Sequence, residues 1–212
     1  VERFYEKETN QILLMAYTNR AVDEICKALE AIEPSINYIR MGSELSCNEN
    51  YRSKLMENQL EGCRNRKQVG EVIQKCRVYV GTVASLAGKS DLFELKQFDV
   101  AIIDEASQII EAQLLGVLMA CNEKRESAIR KFVMIGDHKQ LPAIVLQSIE
   151  DAEVKEEELR EVGVSNLRDS LFERLYTNAP QEAVDQLCKQ GRMHPAIADF
   201  PNRSFYSGRL ER

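Results

Sequence analysis

Two neighbouring carboxylates, Asp104 and Glu105, stand at the end of an apolar run, Val100-Ala101-Ile102-Ile103. A run of that kind reads as a buried strand, and in open parallel sheets ligands gather at the carboxyl ends of strands. An acid pair there suits Mg-ATP: one carboxylate can hold Mg2+, directly or through water, while its neighbour orients or deprotonates an attacking water. Taken alone, Asp-Glu suits an exposed acidic turn equally well. A second apolar run, Phe132 to Ile135, leads into Gly136-Asp137-His138-Lys139-Gln140-Leu141-Pro142. Glycine lets the backbone turn closely at a strand end, and Gln140 can both donate and accept hydrogen bonds, as a sensor of a γ-phosphate or of water must. Gly136-Asp137 is also a common turn pair, and His138 reads more readily as a surface residue.

These residues need strands to carry them and helices to join the strands. Ile12 to Tyr17, Asn37 to Arg40, Val78 to Gly81, Val100 to Ile103 and Phe132 to Ile135 read as strands, most of them apolar enough for burial on both faces, which implies a parallel sheet. Arg20 to Ile32 and Ile109 to Cys121 carry apolar residues at helical spacing and supply the crossovers that parallel strands require. The stretch from Ser43 to Lys75 is charged and weakly periodic, and predicts a mainly helical insertion on the sheet surface. Its basic part, Arg64 to Lys67, reads as a solvated face. The acidic stretch Glu150 to Glu161 predicts a loop followed by an exposed helix. From Arg192 onward the chain becomes aromatic and is punctuated by proline and glycine, and it stops as though within an element.

With 212 residues, 44% of them hydrophobic, the chain can bury one sizeable core. A net charge of -6 argues against a broadly basic nucleic-acid coat but leaves room for a local basic groove. The 6 cysteines are dispersed without a Cys-x-x-Cys pair, which disfavours zinc and fits a reducing compartment, cytoplasmic or, in a eukaryote, nuclear. No signal segment opens the chain and no apolar run approaches bilayer length, so no membrane partner is expected.

Asp104-Glu105-Ala106-Ser107, Gly136-Asp137-His138-Lys139-Gln140-Leu141-Pro142 and Gln190-Gly191-Arg192-Met193-His194-Pro195, in that order, closely resemble three motifs of the up-frameshift-like (superfamily 1B) branch of superfamily 1 helicases. Two more precede them. Ala16-Tyr17-Thr18-Asn19-Arg20-Ala21-Val22-Asp23 resembles that branch's first nucleic-acid-contacting motif, and Gly81-Thr82-Val83-Ala84-Ser85 its second. The resemblance spans nearly the whole chain. It implies an α/β fold of the RecA-like P-loop NTPase type, a parallel sheet with flanking helices, incomplete on the N-terminal side. It implies ATP and Mg2+ as cofactors and single-stranded DNA or RNA as partner, with movement from 5′ to 3′. By the same pattern Asp104 would hold Mg2+, Glu105 would activate water, and Gln140, beside Asp137, would sense the γ-phosphate. Arg192 would reach that phosphate across an interdomain cleft, and Thr18, Asn19, Thr82 and Ser85 would contact the strand. Short hydroxyl and amide side chains can hold a phosphate backbone without reading its sequence, although Thr18 or Asn19 is equally suited to cap the helix from Arg20.

Two features depart from that pattern. Nothing matches Gly-x-x-x-x-Gly-Lys-Ser/Thr, the loop that holds the phosphates, and the eleven residues before the first strand leave no room for it. A chain beginning after that loop is expected to show little or no ATPase alone. Its sheet is also expected to lack a central strand between those ending at Asp104 and Ile135. Secondly, the family usually has a tyrosine, stacked on adenine, where Gly191 stands; glycine there equally suits an unusual backbone conformation. His194 and Pro195 read as the entry to a helix. Residues 1–195 are expected to be the first motor domain, with 43–76 as its insertion, and 196–212 the beginning of the second.

Overall fold

Five strands assemble into one wholly parallel sheet in the order β2-β3-β1-β4-β5, where β1 is Ile12–Ala16, β2 Tyr38–Arg40, β3 Val78–Thr82, β4 Val100–Ile103 and β5 Phe132–Met134. The structure is a computed structural model and describes residues 1–32 and 36–211; Arg212, the last residue of the segment expected to open a second domain, lies outside the described residues. All five expected strands form, each within a residue of its expected bounds at either end.

Alternation along each strand sends side chains to opposite faces. Leu13 and Met15 of β1 join Ile39, Tyr79, Ala101 and Ile103 in one core layer, while Ile12, Leu14 and Ala16 join Tyr38, Val78, Val80 and Val100 in the other. No residue of β1 is more than 2% exposed, and each large side chain so buried contributes about 1.5–3 kcal/mol.

Helix α1 (Asn19–Ile32) covers the second layer with Val22, Cys26 and Leu29. The first layer is covered by α2 (Arg66–Lys75), α3 (Val83–Ala87), α4 (Glu111–Leu118) and α5 (Leu171–Asn178), each of which buries at least one apolar residue. Helix α4 is shorter than its apolar spacing predicts, starting at Glu111 and stopping at Leu118. The segment 43–76 holds short 3-10 and α-helical turns before α2. It is less superficial than its charge suggests, because Cys47, Tyr51 and Leu55 are buried against the α1 face of the sheet. Residues Glu157–Glu161 form a short exposed helix, and α6 (Pro195–Phe205) closes the fold. No helix among the described residues is long and apolar enough to cross a membrane.

As expected, no strand lies between β4 and β5 among the described residues. The two close up and pair directly, Ala101 with Phe132, Ile102 with Val133 and Ile103 with Met134, and the ladder continues past both strands through Ile135 N–H to the Ile103 carbonyl at 2.8 Å. β5, like β2, is an edge strand. Unlike β2, which segment 43–76 covers, it departs from the both-faces-buried reading: Val133 is 38% and Ile135 48% exposed, whereas the four other strands are buried almost throughout.

Candidate functional site

Every singled-out strand end opens on the same edge, because the sheet is parallel. Ala16 pairs with Thr82, Met15 with Ile103 and Ile103 with Met134, so the edge reads in space β3 (Thr82), β1 (Thr18-Asn19), β4 (Asp104-Glu105), β5 (Asp137 to Gln140). Three strand spacings, about 14 Å, separate its two sides. The hydroxyl and amide residues lie on one side and the carboxylates on the other, with room for two ligands next to each other.

At the centre, Asp104 N–H donates to the Met15 carbonyl at 2.8 Å, which holds the end of β4 against β1. Asp104 Oδ1 accepts the Glu105 N–H at 3.0 Å. Glu105 itself takes a left-handed conformation, φ 53 and ψ 37, which non-glycine residues seldom adopt. Backbone on both sides enforces it: Ala106 N–H donates to the Ile135 carbonyl at 2.8 Å, and Gln108 N–H to the Glu105 carbonyl at 2.9 Å. The Glu105 side chain is exposed, and its Oε2 accepts the Gln108 side-chain amide at 3.1 Å. Strain of this kind persists only where its surroundings over-determine it, and it clusters at functional sites.

Helix α5 packs on the Ala106–Gln108 turn, and Arg174 of α5 grips both carboxylate oxygens of Glu111 at the start of α4, one of them from Nε at 2.8 Å. Ser107, 5% exposed, accepts the Asp137 N–H on its Oγ at 3.2 Å and so joins the loop after β5 to the acid pair. The serine closes the Asp104 to Ser107 motif, but nothing in its spacing marks it as the bridge.

Gly136 is the residue that lets these loops meet. A β-carbon there would lie 2.9 Å from the Ser107 backbone nitrogen, 3.2 Å from Ser107 Oγ and 3.3 Å from the Ala106 nitrogen. Backbone atoms cannot step aside as a side-chain tip can, so Gly136→Ala is expected to destabilise the protein by about 1–3 kcal/mol, as overpacking does. Urea unfolding of the variant beside the unaltered protein measures this, and equal midpoints would show that the two loops are free to part.

Beyond Gly136, Asp137 gathers donors. Lys139 N–H reaches Oδ1 at 3.0 Å; the Gln140 side-chain amide and the Tyr206 hydroxyl reach Oδ2 at 2.8 and 2.6 Å. Burial opposes ionisation of Asp137, but these hydrogen bonds and the nearby His138 outweigh it and hold the carboxyl below its ordinary range. His138 is only partly exposed, its ring 4.6 Å from that of Tyr176 on α5.

On the other side of the edge the hydroxyls cap helices. Thr18 Oγ1 accepts the Ala21 N–H at 3.2 Å and begins α1. Thr82 Oγ1 accepts the Ser85 N–H at 3.1 Å and begins α3, and the Ser85 hydroxyl returns a bond to the Thr82 carbonyl at 2.8 Å. Thr18 is exposed and Asn19 and Ser85 are partly so, whereas Thr82 is only 7% exposed and acts by shaping its turn.

Arg192 stands apart, fully exposed and with no hydrogen bond or ion pair among the described residues. Gly191 has open space where a β-carbon would be and is not among the positive-φ glycines, so the backbone does not require glycine at that position. His194 Nδ1 accepts the Ala196 N–H at 3.3 Å and Pro195 occupies the first turn of α6, the helix entry read from the sequence.

Two family models, each described as an AAA domain, match residues 52–148 and 167–212. The chain is 34% identical over 204 residues to the DNA replication ATP-dependent helicase/nuclease DNA2 of Gallus gallus, a match covering 94% of this chain and 18% of that protein. It is 32% identical over 202 residues to the protein of the same description in Homo sapiens, covering 94% and 17%. To the DNA replication ATP-dependent helicase/nuclease JHS1 of Arabidopsis thaliana it is 34% identical over 205 residues, covering 95% and 13%. The chain thus spans less than a fifth of the length of each of these relatives.

Proposed function

Because the chain belongs to the up-frameshift-like, superfamily 1B branch of superfamily 1 helicases, we propose that it forms most of the first motor domain of an ATP-driven translocase on single-stranded DNA. The observation that carries this reading is the shared sheet edge. It presents two acid-tipped strand ends, β4 and β5, directly beside two hydroxyl- and amide-bearing ends, β1 and β3. A nucleotide over the first pair and a strand over the second would bear on the same backbone, which is what coupling hydrolysis to movement requires. Relatives 32–34% identical are described by DNA replication, whereas one 27% identical is described as a putative ATP-dependent RNA helicase, and the higher identities favour DNA. Residues 1–195 would be the first motor domain, with 43–76 inserted in it, and residues 196–212 would begin the second.

Within this reading Glu105 takes a proton from the attacking water, and its exposed carboxylate is reachable from solvent. Gln140 hydrogen-bonds the γ-phosphate or that water, and Arg192, without a partner among the described residues, reaches the phosphate across the interdomain cleft. Asp104 suits Mg2+: one oxygen is held by the Glu105 N–H while the other has no hydrogen bond among the described residues. Magnesium commonly takes one or two carboxylates plus substrate phosphates, so a single carboxylate here suffices. The ion, when bound, neutralises charge on the phosphate oxygens. Thr18, Asn19 and Ser85, with the turn shaped by Thr82, meet the phosphates of the strand.

The test is ATP hydrolysis by the full-length protein without polymer, with single-stranded DNA and with single-stranded RNA. Stimulation by DNA is expected. Equal or greater stimulation by RNA would reassign the polymer, and hydrolysis indifferent to both would overturn the motor. Strand separation on a tailed duplex then distinguishes a helicase from an ATPase that remodels complexes without unwinding.

A further inference from the structure

We infer that Tyr206 is a positioning residue for the nucleotide sensor: by hydrogen-bonding Asp137 it orients Gln140 and ties that orientation to the segment bearing Arg192. The inference rests on the nucleotide-binding roles proposed for Gln140 and Arg192.

Three contacts carry it. First, Tyr206 Oη donates to Asp137 Oδ2 at 2.6 Å across 69 residues of sequence. Second, the Gln140 amide donates to the same oxygen at 2.8 Å. One carboxylate thus fixes which end of Gln140 is spent, leaving the Gln140 carbonyl and one amide hydrogen for a ligand. Third, Tyr206 is rigidly joined to the Arg192 loop. Its N–H and that of Gly208 both donate to the Asn202 carbonyl, at 3.1 and 3.0 Å. Asn202 exchanges side-chain bonds with Leu210 at 2.9 and 3.1 Å. Glu211 then bridges to the segment leading to Arg192, through Glu211 N–H to the Cys188 carbonyl at 2.7 Å and Gln190 N–H to the Glu211 carbonyl at 3.0 Å.

Gln190 in turn brackets Gly191 and Arg192, its side-chain amide bonding both the N–H and the carbonyl of Met193 at 2.9 and 3.2 Å. Any displacement of Arg192 as a body therefore moves Tyr206 and loads or releases Asp137. Burial together with the Asp137 carboxylate pushes the Tyr206 phenol up to about 12, so near neutral pH the hydroxyl keeps the proton it donates. A charged acceptor makes this a strong bond for its size.

The decisive variant is Tyr206→Phe in the full-length protein, which keeps the ring and removes only the donor. At saturating single-stranded DNA, kcat is expected to fall about tenfold, the loss that accompanies one charge-assisted hydrogen bond acting on the transition state. KM for ATP is expected to stay where it is, and the thermal midpoint to fall by only a few degrees, about the cost of one hydrogen bond. The kcat-against-KM split separates a positioning role from a merely structural one, which would lower stability and leave kcat at the assay temperature where it is. Asp137→Asn should lower kcat as well, and Tyr206→Phe added to it should cost nothing more, since the hydroxyl works only through that carboxylate. An unchanged kcat in Tyr206→Phe, or additive losses in the double variant, would overturn the inference.

A second readout needs no turnover. The 19F resonance of 3-fluorotyrosine placed at position 206 should titrate higher in the otherwise unaltered protein than in Asp137→Asn. Equal midpoints would remove the contact itself. Absence of hydrolysis by the unaltered protein would instead overturn the motor reading, and the sensor role with it, whatever the fluorine signal shows.

Discussion

Glu105→Gln in the full-length protein is expected to lower ATP turnover by at least about 10²-fold while leaving ATP binding intact, because a general base typically contributes that much. The substitution suits the local geometry. Glutamine has the shape of glutamate, its side-chain oxygen can still accept the Gln108 amide that now bonds Glu105 Oε2 at 3.1 Å, and the left-handed backbone at this position is held by main-chain bonds that the side chain does not touch. What disappears is the negative charge that takes the proton from water. The relevant measurement is single-turnover hydrolysis beside the affinity for a fluorescent ATP analogue. Turnover near that of the unaltered protein would take Glu105 out of the mechanism and leave Asp137, in the loop after β5 and already accepting from three donors, as the alternative carboxylate.

Asp23→Ala is expected to destabilise the protein by about 3–5 kcal/mol, the penalty of leaving a buried charge unpaired. Arg40, at the end of β2, is 0% exposed. Its Nε and Nη2 donate to Asp23 Oδ1 at 3.2 and 2.9 Å, and Nη2 also reaches the Ser46 carbonyl at 3.2 Å. Its Nη1 is buried without a partner among the described residues. Gly42, at φ +143, passes so close that a β-carbon would come within 3.0 Å of that nitrogen. Among the described residues Asp23 is therefore the carboxylate offsetting a cation that solvent does not reach. Asp23 sits on the first turns of α1, just after Thr18 and Asn19, so the same pair sets how that helix start meets the sheet edge. Denaturant unfolding measures the loss. Arg40→Met combined with Asp23→Leu should recover much of it, because replacing both partners by apolar groups removes the buried charge altogether; a cost below about 1 kcal/mol for Asp23→Ala, typical of exposed pairs, would show that water reaches Arg40.

Much of this could be read along the chain, and the readable part has a common physical character. Runs such as Ile12 to Ala16 and Val100 to Ile103 declare strands buried on both faces, since no other local structure accommodates so short and unbroken an apolar stretch between helical patterns. Thr18 announces a helix start because a cap acts on an N–H three residues away. The acid pair after β4 and the glycine after β5 were visible for the same reason: the strand that delivers them directly precedes them in sequence. Burial in segment 43–76 was hidden because Tyr51 and Leu55 are scattered among charged residues and reach the core singly, without a period.

Sequence by itself thus determined the five strands, the parallel sense of the sheet, the edge on which its chemistry collects and the family to which the chain belongs. Only the tertiary structure decided that β4 and β5 close up and pair directly, that Asp23 neutralises a wholly buried Arg40, that Ser107 bridges the two acid-bearing loops and that Tyr206 holds Asp137 from 69 residues away. The division follows from range. Propensities, caps and periodicities act over a few residues and leave a mark on the local pattern, whereas strand order and the pairing of distant polar groups are settled by which surfaces can be buried together without leaving a charge or a donor unmet.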